Sequence, residues 1–218
     1  LRKNKIIKPW NVNFMAFLVL FILSPLGIKA QNRLEKHIQA DGISSISING
    51  NQIFNISVST SKTNQIKMTS TLDGEYQNDF QMVSIKESSS LKLNLEHLSF
   101  TEIPDDKRNA HKVIAATLHL EIPENLSLDI VSDIASVDLN GKFKTLFIEL
   151  QQGQCSIHGS VETTTVNTFD GDINVITKSA MITAQSNHGN VVLDKFYDLD
   201  SIWILKSING DITVEKQI

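Results

Sequence analysis

An 18-residue period runs through the second half of this chain and limits what it can fold into. Take Ala135, Gly153, Gly171 and Gly189 as position zero; Gly210 continues the series after three extra residues. Two positions on stand Val137, Cys155, Ile173, Val191 and Ile212, and four on stand Leu139, Ile157, Val175, Leu193 and Val214. Five positions before zero stand Ile130, Ile148, Val166, Ala184 and Leu205, and seven before stand Leu128, Leu146, Thr164, Ile182 and Trp203. Alternation with a period of two inside each repeat is the signature of half-buried strands. One such unit cannot cover its own apolar side, so successive units must stack. The pattern predicts an all-β, single-chain β-solenoid over residues 126–218, with inward columns at the positions just given.

Three details of the repeat carry further expectations. The column three before zero holds Ser132, Leu150, Thr168, Ser186 and Ser207, which predicts a tight corner where hydroxyls bond along the stack. The glycines suggest a positive φ at the bend. The three extra residues fall in Phe196–Ser201 and predict a loop, after which Ile212–Glu215 forms the last strand. That strand would then be the open C-terminal edge, guarded by Glu215 and Lys216, and a place for edge-to-edge self-association.

Residues 31–125 lack the period but are rich in strand signals. Arg33–Gln39 reads as a short helix or a processed end. Ile43–Ile48 and Ile53–Thr60 flank Asn49-Gly50, a hairpin-turn signal, and further strands are expected over Gln65–Leu72, Met82–Lys86, Leu91–Leu95 and Val113–Ile122. Leu98–Ala110 reads as a loop. The region is expected to form an antiparallel β cap on the solenoid, because a bare terminal layer would leave backbone groups unpaired.

Residues 1–30 have the layout of a signal peptide: basic Arg2, Lys3, Lys5 and Lys8, an apolar run Phe14–Leu23, and a predicted cut after Ala30. The run is short for a span of about 20 residues, and Pro25 and Gly27 break the chain just beyond it, so no stable membrane span is expected after cleavage. Five of the 20 basic residues and none of the 24 acidic ones lie in residues 1–30, which leaves 31–218 at a net charge of −9. Such a surface argues against nucleic acid and anionic lipid as partners. The lone Cys155 has no disulfide partner within the chain and stands in an inward column, where a small buried hydrophobe is expected rather than a reactive thiol.

Asp170, Asp172, Asn190, Asn209 and Asp211 gather beside the glycines, and layers about 4.8 Å apart would let carboxylates share a calcium ion. The competing account is local hydrogen bonding at turns. Phe147, Phe169, Ile204 and Ile208 fall on nominally outward positions, either as a binding patch or packed beneath the N-terminal strands or the inserted loop. Asp200-Ser201-Ile202 matches a three-residue O-glycosylation signal, and the loop is expected to expose Ser201. His158 and His188 are expected to face solvent at turns. The outward column four before zero (Val131, Glu149, Asn167, Gln185, Lys206) is too mixed to suggest a catalytic site, and no Gly-x-Ser-x-Gly or His-Glu-x-x-His occurs. No catalytic residue, metal or cofactor is assigned.

Gly171-Asp172-Ile173-Asn174-Val175, Gly189-Asn190-Val191-Val192-Leu193 and Gly210-Asp211-Ile212-Thr213-Val214 share one short motif, preceded by Ile122–Ile130. The motif resembles the bacterial putative-adhesin family of β-strand repeats, related to head-GIN domains. The resemblance covers about residues 110–218 and implies an exported, right-handed β-helix-like protein without catalytic residues. The expected function is a non-enzymatic interaction or structural module of the cell envelope, periplasmic or on the cell surface. Its partner would be an envelope or extracellular protein, or a polysaccharide; the alternative is a polysaccharide-binding or polysaccharide-cleaving β-helix protein.

Overall fold

A computed structural model describes residues 32–74, 78–98 and 115–217. The predicted signal peptide and most of the predicted Leu98–Ala110 loop lie outside these residues. Gln31–Ile218 form one compact unit. The described residues hold fifteen strands and no helix. In chain order these are β1 (Asn32–Gln39), β2 (Ser45–Asn49), β3 (Ile53–Ser61), β4 (Gln65–Asp73), β5 (Phe80–Glu87), β6 (Ser90–His97), β7 (Ala115–Pro123) and β8 (Ser127–Ser132). They continue as β9 (Ser136–Gln152), β10 (Cys155–Asp170), β11 (Ile173–Thr177), β12 (Met181–Ser186), β13 (Val191–Leu193), β14 (Ile202–Ser207) and β15 (Ile212–Lys216).

All fifteen join in one mixed sheet whose path stays open at both ends. One run reads β1-β4-β7-β3-β9-β10-β11-β15-β13. A second run reads β5-β6-β2-β8-β9-β10-β14-β12 and shares β9 and β10 with the first. Between β9 and β10 the ladder sets Val137 against Cys155, Leu139 against Ile157 and Ile148 against Val166. Between β10 and β11 it sets Cys155 against Ile173. The 18-residue period is therefore the parallel register itself. Inward residues of both runs belong to one hydrophobic core cluster, including Ile130, Val137, Cys155, Val166, Ile173 and Ile212.

The N-terminal region departs from the antiparallel cap expected of it. β1 and β4 pair antiparallel, β4 pairs β7 antiparallel, and β5 pairs β6 antiparallel. By contrast, β2 pairs β6 and β8 in parallel, and β3 pairs β7 and β9 in parallel. Asn49-Gly50 is therefore not a hairpin turn: β2 and β3 lie in different runs, and the dipeptide makes the corner between them. Gly50 N–H donates to Val131 O at 2.7 Å, a bond to the next layer rather than across a hairpin. Arg33–Gln39 is neither helix nor loose end but part of β1, held by pairing with β4.

The last layers are stacked out of sequence order. β14 lies between β10 and β12, and β15 lies between β11 and β13. The chain thus leaves a one-layer gap after β11, forms β12 and β13, and returns to fill the gap. The strand Ile212–Glu215, expected to be the open edge, is internal; the free edges belong to β12 and β13. The three extra residues serve this return: Ile182 pairs Trp203 and Val191 pairs Ile212, each at an offset of 21. The connecting loop bonds back to the Lys178–Ala180 corner, where Ala180 N–H donates to Asp198 O at 3.1 Å and Ser179 Oγ donates to the same oxygen at 3.0 Å. Burial accounts for the order. The inserted layer carries Trp203, Leu205, Ile212 and Val214, whereas the end layer carries Ile182, Ala184, Val191 and Leu193. A buried tryptophan removes about 150–250 Å² from water, so covering the larger set on both sides gains more. Trp203 is fully buried, and its Nε1–H donates to Ser201 Oγ at 2.9 Å.

The glycine column has a different cause from the one expected. Only Gly153 of the repeat glycines has a positive φ, +111°. At Gly171, Gly189 and Gly210 a Cβ would overlap the carbonyl oxygen of Gly153, Gly210 and Gly171 respectively. Close approach between layers, not backbone conformation, excludes a side chain there. The hydroxyl column works as expected. Ser207 Oγ accepts Gly210 N–H at 2.8 Å and donates to Gly171 O at 3.3 Å. Ser186 Oγ accepts Gly189 N–H at 2.9 Å and donates to Gly210 O at 2.7 Å.

Two outcomes are expected. Ser207→Ala leaves the Gly210 N–H at a buried corner without its partner, while Gly171 O keeps the Thr168 hydroxyl at 2.7 Å, and should cost about 1–3 kcal/mol in urea denaturation. Cys155 is fully buried, and desolvation, with a smaller repulsion from Asp138, pushes its thiol up to about 12 from 9.0. The native chain should therefore resist thiol reagents that label the urea-unfolded chain. Because the unfolded thiol ionises first, Cys155 should lower stability as pH rises above about 9, a loss absent in Cys155→Ala.

Candidate functional site

The strands of the second run present one side to the core and the other to solvent, and on the solvent side the register builds rows. One row runs Asp129, Phe147, Thr165, Ile204, Thr183 across β8, β9, β10, β14 and β12. The row beside it runs Thr145, Thr163, Ile202, Met181, and the row on the other side runs Val131, Glu149, Asn167, Lys206, Gln185. Neighbouring residues in a row are roughly 4.8 Å apart, so Phe147 and Ile204 stand about 10 Å apart with Thr165 between them. Phe169 and Ile208 lie at the following corner in adjacent layers, where Asn209 N–H donates to Phe169 O at 3.0 Å.

The structure thus brings the four candidate residues Phe147, Phe169, Ile204 and Ile208 to one side of the sheet. Neither the N-terminal strands nor the inserted loop covers the two aromatics: Phe169 is 54% exposed, and Phe147 is exposed as well. Met181, Ile202 at 47% exposed, and Val131 extend the patch. Met181 and Ile202 escaped the sequence reading because their columns belong to layers whose order the repeat does not reveal. Threonines fill the gaps, and Glu149 and Lys206 border the patch. Partial burial raises the Asp129 carboxyl above its ordinary value at one end of the row. Such a surface, apolar at the centre and polar at the rim, is suited to docking another macromolecule.

The calcium candidates find a local role. Asp172 Oδ1 accepts Asp211 N–H at 2.8 Å, and Asp211 Oδ1 accepts Asn190 N–H at 2.7 Å. The three side chains form a ladder that ties successive layers together, in the same non-sequential order as the strands. Asp170 is outside that ladder and pairs with Gln152; Asn209 belongs to the neighbouring corner. Among the described residues no group of three or more His, Cys, Asp or Glu is placed to hold a metal ion. Ser201 is not the accessible side chain expected of a glycosylation site. It is 7% exposed, donates its hydroxyl to Ser179 O, and accepts the Trp203 indole N–H. His158 and His188 are exposed.

A second feature was missed in the sequence. Lys142, Ser160 and Lys178 all stand seven positions after zero, and with Asn140, His158 and Gln217 they line a shallow cleft at the corner opposite the hydroxyl column. Gln217 Nε2 lies 3.2 Å from His158 Nε2, and Lys142 Nζ lies 3.8 Å from a Glu124 carboxylate oxygen. The column was legible in principle, but polar outward columns do not stand out from ordinary surface.

No family model and no curated protein matches the chain. Its fold is similar to the crystal structure of a putative cell adhesion protein from Clostridium sporogenes ATCC 15579, at 13% identity and a TM-score of 0.61, covering 86% of this chain and 100% of that one. A putative adhesin from Bacteroides fragilis NCTC 9343 is 11% identical over 86% of this chain and 98% of its own, with a TM-score of 0.34. A putative lipid binding protein from Parabacteroides distasonis ATCC 8503 is 12% identical over 86% of this chain and 97% of its own, with a TM-score of 0.28. At these identities the likeness is one of fold, and it rests on the first.

Proposed function

We propose that the chain is an exported, non-enzymatic module of the cell envelope, built as a β-solenoid, that binds a partner through the outer face of β8, β9, β10, β14 and β12. One observation carries this reading: exposed apolar side chains from five strands share one sheet face, where outward positions are ordinarily polar. The fold likeness to a structure named as a cell adhesion protein, and the predicted signal peptide with its cut after Ala30, support it. The partner class is an envelope or extracellular protein. A polysaccharide partner is favoured only by the Lys142–Lys178 cleft, which sets two basic side chains on an acidic chain and suits an acidic sugar.

Two measurements test this reading. Phe147→Ser combined with Phe169→Ser removes exposed side chains, so stability should change by less than about 0.5 kcal/mol, while retention on envelope protein extracts should fall by about tenfold or more. Retention that tracks Lys142→Ala and Lys178→Ala instead, together with binding to acidic polysaccharide, would move the site to the cleft. Protease added to intact cells should degrade the chain if it is on the surface. Degradation only after the outer membrane is opened would place it in the periplasm, and a cytoplasmic chain would overturn the proposal.

A further inference from the structure

The two ends of the strand stack are built differently. At the N-terminal end the edge strands are β1 and β5. β1 carries Arg33, Glu35, Lys36 and His37, and β5 carries Lys86 and Glu87. Lys67 Nζ lies 3.0 Å from Glu35, and Lys36 Nζ donates to Ser84 Oγ at 2.6 Å, which ties charge across this end. Charged edge strands of this kind discourage pairing with another chain. At the C-terminal end the edge strands are β12, Met-Ile-Thr-Ala-Gln-Ser, and β13, Val-Val-Leu. Neither holds a charged residue, a proline or a glycine.

The backbone of these two strands is half used. Met181 N–H donates to Ser201 O and Asn187 N–H donates to Ser207 O, so the odd residues of β12 bond to the β14 side and Ile182, Ala184 and Ser186 face the free edge. Asp194 N–H donates to Val214 O and Asn190 O accepts Ile212 N–H, so Val191 and Leu193 face the free edge of β13. The same two side chains occupy core columns. Their counterparts Ile173, Val175, Ile212 and Val214 are fully buried, yet Val191 is 40% and Leu193 42% exposed. Among the described residues, this end is a core layer without a cover.

We infer that the cover is the same end of a second copy, in a two-fold, head-to-head dimer. The charges select this occupant. The opposite end of another copy would bring the charged strands β1 and β5, with Arg33, Glu35, Lys36, His37, Lys86 and Glu87 and the ion pairs they make, against uncharged, apolar strands that offer these charges nothing in exchange for lost water, which disfavours a head-to-tail stack. Two chains with a net charge of −9 each over residues 31–218 repel, and the two uncharged edge strands are where they approach at least cost, with Asp194, Lys195, Asp198 and Asp200 confined to the loop after β13. A two-fold axis across the stack sets each edge strand antiparallel to the strand it meets, so both free edges gain backbone partners together and the contact closes on itself. Six and three residues span edges of about 20 and 10 Å. The contact is therefore at the small end of specific interfaces, near 1,000 Å² in total, and the dimer is one that dissociates on dilution. β12 also borders the proposed binding face, but self-association is read on the purified chain alone and partner retention on extracts, so the two readings fail separately.

Sedimentation velocity of the purified chain over a concentration series tests it. A concentration-dependent shift from monomer to dimer, and no further, is expected. Thr183→Lys with Val192→Lys adds charge on two exposed, outward side chains without touching the core. This pair should weaken association by about tenfold or more, whereas Gln39→Lys on β1 should leave it unchanged. A chain that stays monomeric at its highest soluble concentration, that grows past the dimer, or whose dimer is weakened equally by Gln39→Lys would overturn the inference.

Discussion

The close approach of successive layers at one corner governs the rest of the structure. At Gly171, Gly189 and Gly210 the backbones pass so near that no Cβ fits between them. The hydroxyls of Ser186 and Ser207 use that closeness, accepting the N–H of their own glycine and donating to the carbonyl of the next layer's glycine, while Thr168 donates to its own Gly171 carbonyl. Tight corners hold the parallel ladders in register, and the register places the core columns of both runs in one cluster. Register in turn gives the ladders their backbone partners, which a stack of short strands requires more than it requires any single side chain.

The order of the layers follows from competition for burial. Every repeat offers similar backbone, so hydrogen bonding alone does not choose which layer ends the stack. Side-chain volume does. Trp203 and Leu205 lie where Ile182 and Ala184 lie in the other layer, and the larger pair takes the interior place. The loop between β13 and β14 lets the chain turn back, and the Asp172, Asp211, Asn190 ladder repeats the same order in hydrogen bonds. The consequence is an end layer with smaller inward side chains, two uncharged edges and an incomplete cover.

Function on such a scaffold separates by surface. The outer face of the second run collects apolar side chains because outward positions there owe nothing to the core. The corner cleft gathers Lys142, Ser160, Lys178 and Gln217 because position seven after zero recurs at the same corner of successive layers. The stack ends are set by charge: one is guarded and one is bare. Sequence columns foretold Phe147, Phe169, Ile204 and Ile208 as outward residues, and the structure shows them on one side of the sheet. Ser201 shows the reverse case. Its tripeptide lies in the inserted loop as expected, but the return of the chain past Trp203 buries it.

Period-two alternation inside an 18-residue repeat determined by itself that the chain is all-β and which residues face inward, because these depend on local spacing and on the register between like strands; the glycine column was legible too, but its cause, close approach between layers, was not. The alternation also made the buried thiol of Cys155 legible, since that residue stands in an inward column. The parallel pairing of β2, β3, β6 and β7 was not legible, because these strands meet partners up to 82 residues away with no shared period. Asn49-Gly50 suits a hairpin as well as a corner, and the partners on either side decide between them. The inversion of the last two layers was also left to the tertiary structure. Adjacent repeats carry nearly interchangeable backbones, so only the comparison of whole layers, with Trp203 in one and Ala184 in the other, selects which is covered on both sides and which is left at the end.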